Sequence, residues 1–196
     1  MTAVHAVMSS PIGELTLLVD GGALAAVYME NHKRGPAPEL LGPRVEVDDD
    51  DAAVCGLDDD AGAAAQEAAA AREAADLVVL ARTRHQLQEY FAGDRREFDL
   101  PLAPAGNPFR QQVWALLQEI PYGETRSYGD LARQLGDRNL AQAVGSANAR
   151  NPVSIIIPCH RVVGAAGALT GYAGGLDRKH FLLGLEDPRR IQDTLF

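Results

Sequence analysis

Six residues, Ala103-Pro104-Ala105-Gly106-Asn107-Pro108, constrain this chain more than any others. Two prolines fix φ and withhold N–H donors, and the glycine between them favours no regular conformation. No long helix or strand runs through such a stretch, so the 196 residues divide into segments 1–104 and 105–196. Together they suffice for two small cores. The charge divides the same way. The chain carries −9 overall, yet residues 105–196 hold ten Lys+Arg against eight Asp+Glu, and residues 1–104 hold eight against nineteen. The acid gathers in the runs 48–51 and 58–60, expected to lie in a solvated insert over about 36–76. A net +2 in the second segment is compatible with weak, salt-sensitive binding to a polyanion and not with tight non-specific binding.

Two cysteines, Cys55 and Cys159, make no disulfide framework and point to a reducing compartment. Cys55 lies between the acidic runs and is expected to be solvated. Residues 1–10 have neither the basic head nor the apolar core of a signal peptide, and no window is apolar enough to span a bilayer. A cytoplasmic protein with no membrane partner is the expectation.

Local patterns fill in the two segments. Residues 14–19 and 23–29 flank Asp20-Gly21-Gly22 as a β-hairpin. The alanine-rich residues 61–75 fit either an ordered helix or a helical linker. Leu77, Leu80, Leu87 and Phe91 share a helical face that Gly93 ends, and residues 98–102 read as a short edge strand. Beyond the divide, residues 109–120 form an apolar-faced helix with Trp114 in the core. Ser127 caps a helix over 128–135 that Gly136 terminates, and a second short helix fits 140–149. That pair is a helix-turn-helix candidate. A glycine-rich loop, 164–175, precedes a last helix over 176–185. The fold class is α/β (α+β), a small sheet and helix followed by a mainly helical domain.

The chemistry concentrates in Asn-Pro-Val-Ser-Ile-Ile-Ile-Pro-Cys-His-Arg-Val-Val at 151–163. Ile155, Ile156 and Ile157 read as a buried strand that Pro158 stops, which displays Cys159 at its end. A lone cysteine is most often a small buried hydrophobe. Here His160 and Arg161 follow it, groups able to favour a thiolate. Neighbours on an extended strand face opposite ways, so His160 is expected to reach Cys159 only through a water.

This block resembles the active-site signature of the O6-alkylguanine-DNA alkyltransferases (methylated-DNA–protein-cysteine methyltransferases). The resemblance also covers Ile-Pro-Tyr-Gly-Glu-Thr-Arg-Ser-Tyr-Gly-Asp-Leu-Ala at 120–132, Ala-Val-Gly at 143–145 and Thr-Gly-Tyr-Ala-Gly-Gly-Leu at 170–176. It implies an RNase H-like N-terminal domain and a C-terminal domain with a helix-turn-helix and a cysteine loop. It implies a DNA repair reaction in which the alkyl group of O6-alkylguanine, extending to O4-alkylthymine, moves irreversibly to Cys159 in a single turnover, with the base flipped out. No cofactor is required, and the expected partner is alkylated DNA met by a monomer from the minor groove.

The resemblance assigns His160 as proton acceptor, Glu186 as its carboxylate partner and Tyr128 as donor to guanine N3. It places Asn151 as support for the helix-turn-helix against the active-site segment. The carbonyls of Cys159 and Val162, the N–H of Ala173, the ring of Tyr172 and the bare backbone of Gly174 and Gly175 surround the base. Tyr128, Ala141, Gln142 and Gly145 face DNA. Arg161 is expected to be a salt-bridged structural residue. Position 142 usually carries an arginine that fills the vacated base stack, whereas glutamine brings no charge. Some relatives hold zinc in the first domain, but Cys55, His5, His32 and His85 fit no standard spacing, so no metal is expected.

Three other readings use the same residues. An alkyltransferase-like lesion sensor binds without repairing, although such relatives lack the cysteine. A cysteine hydrolase needs an oxyanion hole that the sequence does not signal. A transcription factor needs a more basic recognition helix.

Overall fold

The computed structural model describes residues 3–32, 35, 41–47 and 63–189. The acidic runs and Cys55 lie outside them. Three antiparallel strands open the chain: β1 (Val4–Met8), β2 (Leu15–Asp20) and β3 (Ala23–Met29), in the order β1-β2-β3. Leu15, Leu17 and Val19 alternate with partly exposed neighbours, so one face of the sheet is core and the other is not. The β2–β3 turn has Gly21 and Gly22 at φ 64° and 76°, the left-handed pair a tight hairpin demands. The hairpin was legible; the outer strand β1 completes it.

A single helix, α1 (Ala63–Ala92), lies over this sheet. The alanine-rich stretch is therefore its first half rather than a separate linker. Residues 67–73 on it are exposed, and it becomes buried from Asp76 through Val79, Leu80, Thr83, Leu87 and Tyr90. Asp76 is 1% exposed and accepts a hydrogen bond from Gly22 N, which ties the hairpin turn to the helix.

The expected edge strand over 98–102 is absent. Leu102 alone bridges Leu24, and the remainder is held by side chains: Gln86 bonds Asp99 on both its backbone N–H and its carbonyl. Those amide bonds replace a ladder. Val153 makes a similar isolated bridge to Val27, so β3 touches the active-site segment directly.

The second half is helical. Asn107 caps α2 (Pro108–Gln118), with Pro108 in the first turn. Gly106 sits beneath Trp114, whose ring lies 2.6 Å from where a Cβ would stand. Trp114 is core, as expected, and its indole N–H donates to the Ala147 carbonyl at 3.0 Å. Strand β4 (Arg126–Ser127) leads into α3 (Tyr128–Gln134), where Ser127 and Asp130 form a reciprocal capping box. Helix α4 (Ala141–Asn148) packs on α3, and α5 (Leu176–Glu186) is the last helix among the described residues. Strand β5 (Val162–Val163) pairs in parallel with β4, which places the start of α3 beside the segment after Cys159. No helix among the described residues is long and apolar enough to cross a membrane.

Candidate active site

The expected strand over Ile155–Ile157 is not formed. This stretch is a set of tight turns, with Ile155 at φ 72° and Ile157 N bonded to Val153 O at 3.0 Å. A β-branched residue at positive φ is strained, so something must hold it there. Asn151 does. Its buried amide donates to Ile157 O at 2.8 Å and to Val153 O at 3.3 Å, and accepts from Val153 N at 3.1 Å. One side chain thus takes over the bonds a neighbouring strand would have made.

Cys159, His160 and Arg161 then form one turn of 3₁₀ helix. The opposed directions expected of strand neighbours do not apply, because side chains on such a turn fan apart by about a third of a revolution. Cys159 is 5% exposed. Its carbonyl accepts from Val162 N, and from the Asn148 amide at 3.3 Å at the end of α4.

His160 and Arg161 turn inward to Glu186, the last residue of α5. His160 Nε2 lies 2.8 Å from Glu186 Oε1, and the Arg161 guanidinium donates to both carboxylate oxygens at 2.9 and 3.0 Å. Tyr90 of α1 donates to Oε1 at 2.8 Å, and Gly123 N to Oε2 at 3.2 Å. Burial works against this carboxylate, but the hydrogen bonds from His160 and Arg161 outweigh it and hold its pKa down to about 2. Arg161 also donates to Ile120 O at 2.6 Å and is a salt-bridged residue, as expected.

His160 is fully buried, which pushes its pKa down against the pull of Glu186. A neutral ring with Nε2–H donating to Glu186 follows, and Nδ1 has no hydrogen-bond partner. Burial raises the Cys159 pKa; hydrogen bonds from Asn151 and Tyr172 and the charge of Lys179 oppose it. Lys179, which the sequence did not single out, is thus the cation whose charge favours the thiolate. Lys179 is wholly buried on α5, donates to Val162 O at 2.5 Å and Thr170 O at 2.8 Å, and has its pKa lowered by burial to about 8. Nothing in its immediate sequence marked it except its place between Leu176 and Leu182–Leu183 on the apolar side of α5.

Tyr172 is buried with its hydroxyl toward Cys159. Gly174 lies against Met29, so that a Cβ would stand 2.3 Å from the sulfur, and Ala173 beside it is half-buried. Tyr128 opens α3 with its ring over Gly145 and its hydroxyl 3.4 and 3.3 Å from the carbonyls of Thr170 and Gly171. Ala141 and Gln142 stand at the start of α4, Gln142 exposed. Val162 O, one of the expected acceptors, already receives Lys179. Among the described residues no cluster of His, Cys, Asp or Glu is arranged to hold a metal ion.

Residues 3–104 match the family described as 6-O-methylguanine DNA methyltransferase, ribonuclease-like domain, and residues 108–188 match its DNA binding domain. The chain belongs to the 6-O-methylguanine DNA methyltransferase family. It is similar to the methylated-DNA–protein-cysteine methyltransferase of Methanosarcina acetivorans, 59% identical over 101 residues, 52% of this chain and 65% of that protein. The chain thus spans a little under two thirds of that relative's length. The crystal structure of Mycobacterium tuberculosis O6-methylguanine methyltransferase matches with a TM-score of 0.72 at 40% identity, over 96% of this chain and 94% of that one. A second structure, M. tuberculosis OGT in complex with DNA, matches at a TM-score of 0.73 and 40% identity, over 94% and 93%. Cys159 lies within the stretch that matches the DNA binding domain, and Val153 and Glu186 beside its turn bond to Val27 and Tyr90 of the ribonuclease-like stretch.

Proposed function

We propose that this protein repairs DNA by moving the alkyl group of O6-alkylguanine onto its own Cys159, once per molecule, as a monomer and without a cofactor. O4-alkylthymine is the second substrate of the same pocket. The observation that carries the reading is the pairing of a buried thiol with a neutral histidine whose Nδ1 has no partner, on a turn pinned to a helix-turn-helix.

The lesion enters from the minor groove and is turned out of the stack, at a cost of a few kcal/mol, in order of magnitude. Through a water, His160 Nδ1 takes the thiol proton, and Glu186 stabilises the imidazolium. Sγ attacks the alkyl carbon, the S–C bond forms and the C–O6 bond breaks. The electron pair goes to the purine, whose N3 takes the Tyr128 hydroxyl proton; the tyrosinate is then reprotonated from the imidazolium. The Cys159 carbonyl, Val162 O, Ala173 N and the Tyr172 ring hold the base, and Ala141, Gln142 and Gly145 meet the strand.

Intact-protein mass spectrometry with a methylguanine oligonucleotide tests this. One methyl per molecule, on Cys159, is expected, and Cys159→Ala should bind DNA without reacting. Binding with no adduct would make the protein a lesion sensor instead, and catalytic turnover without DNA a hydrolase.

Gln142 adds a finer expectation. Without a cation to fill the vacated stack, this protein should favour single-stranded over duplex lesions more than an arginine-bearing form does. Gln142→Arg should accelerate reaction on duplex alone; no duplex-specific gain removes the idea.

A further inference from the structure

Resting on the repair reading above, we infer that Asn148, the last residue of α4, is a positioning residue that sets the two atoms reading the minor-groove edge of guanine. Its side chain is 3% exposed, and its Nδ2 donates to the Cys159 carbonyl at 3.3 Å. The same amide also acts on the Tyr128 hydroxyl, whose pKa burial raises and Asn148 helps to pull back down. Its Oδ1 has no partner.

That arrangement is unusual for a buried amide. Both polar ends are normally satisfied, and an acceptor left bare costs stability. The opposite orientation would set Oδ1 against the Cys159 carbonyl, oxygen to oxygen. The orientation observed gives the Cys159 contact to the N–H side and leaves the oxygen unused.

The two groups it touches have adjacent targets. In guanine, N3 and the 2-amino group are neighbours on one edge: the Tyr128 hydroxyl would donate to N3, and the Cys159 carbonyl would accept from the amine. A planar amide with two N–H groups in fixed geometry spaces these partners more rigidly than backbone packing alone. A hydroxyl that accepts a bond from Asn148 is also a better donor to N3, because linked hydrogen bonds polarise one another. Tyr128 is free to turn, since its contacts to Thr170 O and Gly171 O are long, at 3.4 and 3.3 Å. Folding alone gives little reason for an amide here. The Cys159 carbonyl keeps its bond from Val162 N whatever occupies position 148.

The test compares methyl transfer to Cys159 from oligonucleotides bearing O6-methylguanine and O6-methylhypoxanthine, which lacks the 2-amino group. Wild type should prefer methylguanine. Asn148→Leu, similar in size and without polar atoms, should slow methylguanine about tenfold, roughly the worth of one hydrogen bond, and bring the ratio of the two rates close to one. Asn148→Ser is the second variant, read by the same ratio, should the leucine form not fold. If both substrates slow in proportion, or neither does, Asn148 is only packing and the inference is overturned. A wild-type protein that accepts no methyl from either strand overturns the repair reading itself, a separable result.

Discussion

The two sides of the Cys159 turn are built on opposite terms. On the inner side, Glu186 receives hydrogen bonds from Tyr90, His160, Arg161 and Gly123, drawn from both halves of the chain. On the outer side, the Asn148 Oδ1 and His160 Nδ1 are buried with no hydrogen-bond partner. His160 belongs to both, with one nitrogen on each side. The inner side is a finished polar network, rigid because each member is held by the others. The outer side is left incomplete where a substrate would arrive. On the proposed reading, the pocket keeps its bonding capacity unspent there for the base, and the scaffold behind it carries the stability.

The sharpest way to break the contrast is to damage the finished side. Glu186→Gln leaves the Arg161 guanidinium buried with a neutral partner, and breaking such a pair costs about 3–5 kcal/mol. Urea denaturation should show that loss, and an unchanged midpoint would mean that the network contributes nothing. Acid gives the next effect. The folded pKa of Glu186, about 2, lies below its ordinary 4.5, so its contribution is fully present above pH 4.5 and is lost as pH falls towards 2. The loss should approach about 3 kcal/mol by linkage and be missing from the pH–stability curve of Glu186→Gln.

Tyr90→Phe removes a single donor and the link from α1 to the site. It should cost about 1.5–3 kcal/mol, the range for a hydrogen bond to a charged group, again by urea denaturation. The smallest effect is on the open side. Gly174→Ala drives a methyl group towards the Met29 sulfur, which sits on a flexible side chain and can give way, so about 1 kcal/mol is expected. Repeating it in a Met29→Ala background should abolish that cost. If the penalty persists, the close approach is not its cause.

What the sequence disclosed follows the range of the interactions. Ser127 was visible as a start signal, and the structure adds the reciprocal bond from Asp130 three residues on. The Asp20-Gly21-Gly22 turn and the core position of Trp114 were equally local. Cys159 and His160 stood out in their own stretch and Glu186 was named through a family pattern; the structure brings His160 and Glu186 together and sets Cys159 on the same turn. The strand read into Ile155–Ile157 failed because three β-branched residues look extended, whereas the Asn151 amide, four to six residues away, folds them into turns. Lys179 and Tyr90 were overlooked for a related reason. A lysine or tyrosine on an amphipathic helix reads as a surface or packing residue until the distant carbonyls or carboxylate it meets are known.

The 5% exposure of Cys159 has a last consequence, for how the protein keeps while it waits. Burial holds the sulfur in its protonated state, and peroxides or stray electrophiles in solution react with the anion far more readily than with the acid form. If Cys159 acts once, as proposed, the protein gains working lifetime from that reserve, and general thiol reagents should label the sulfur slowly.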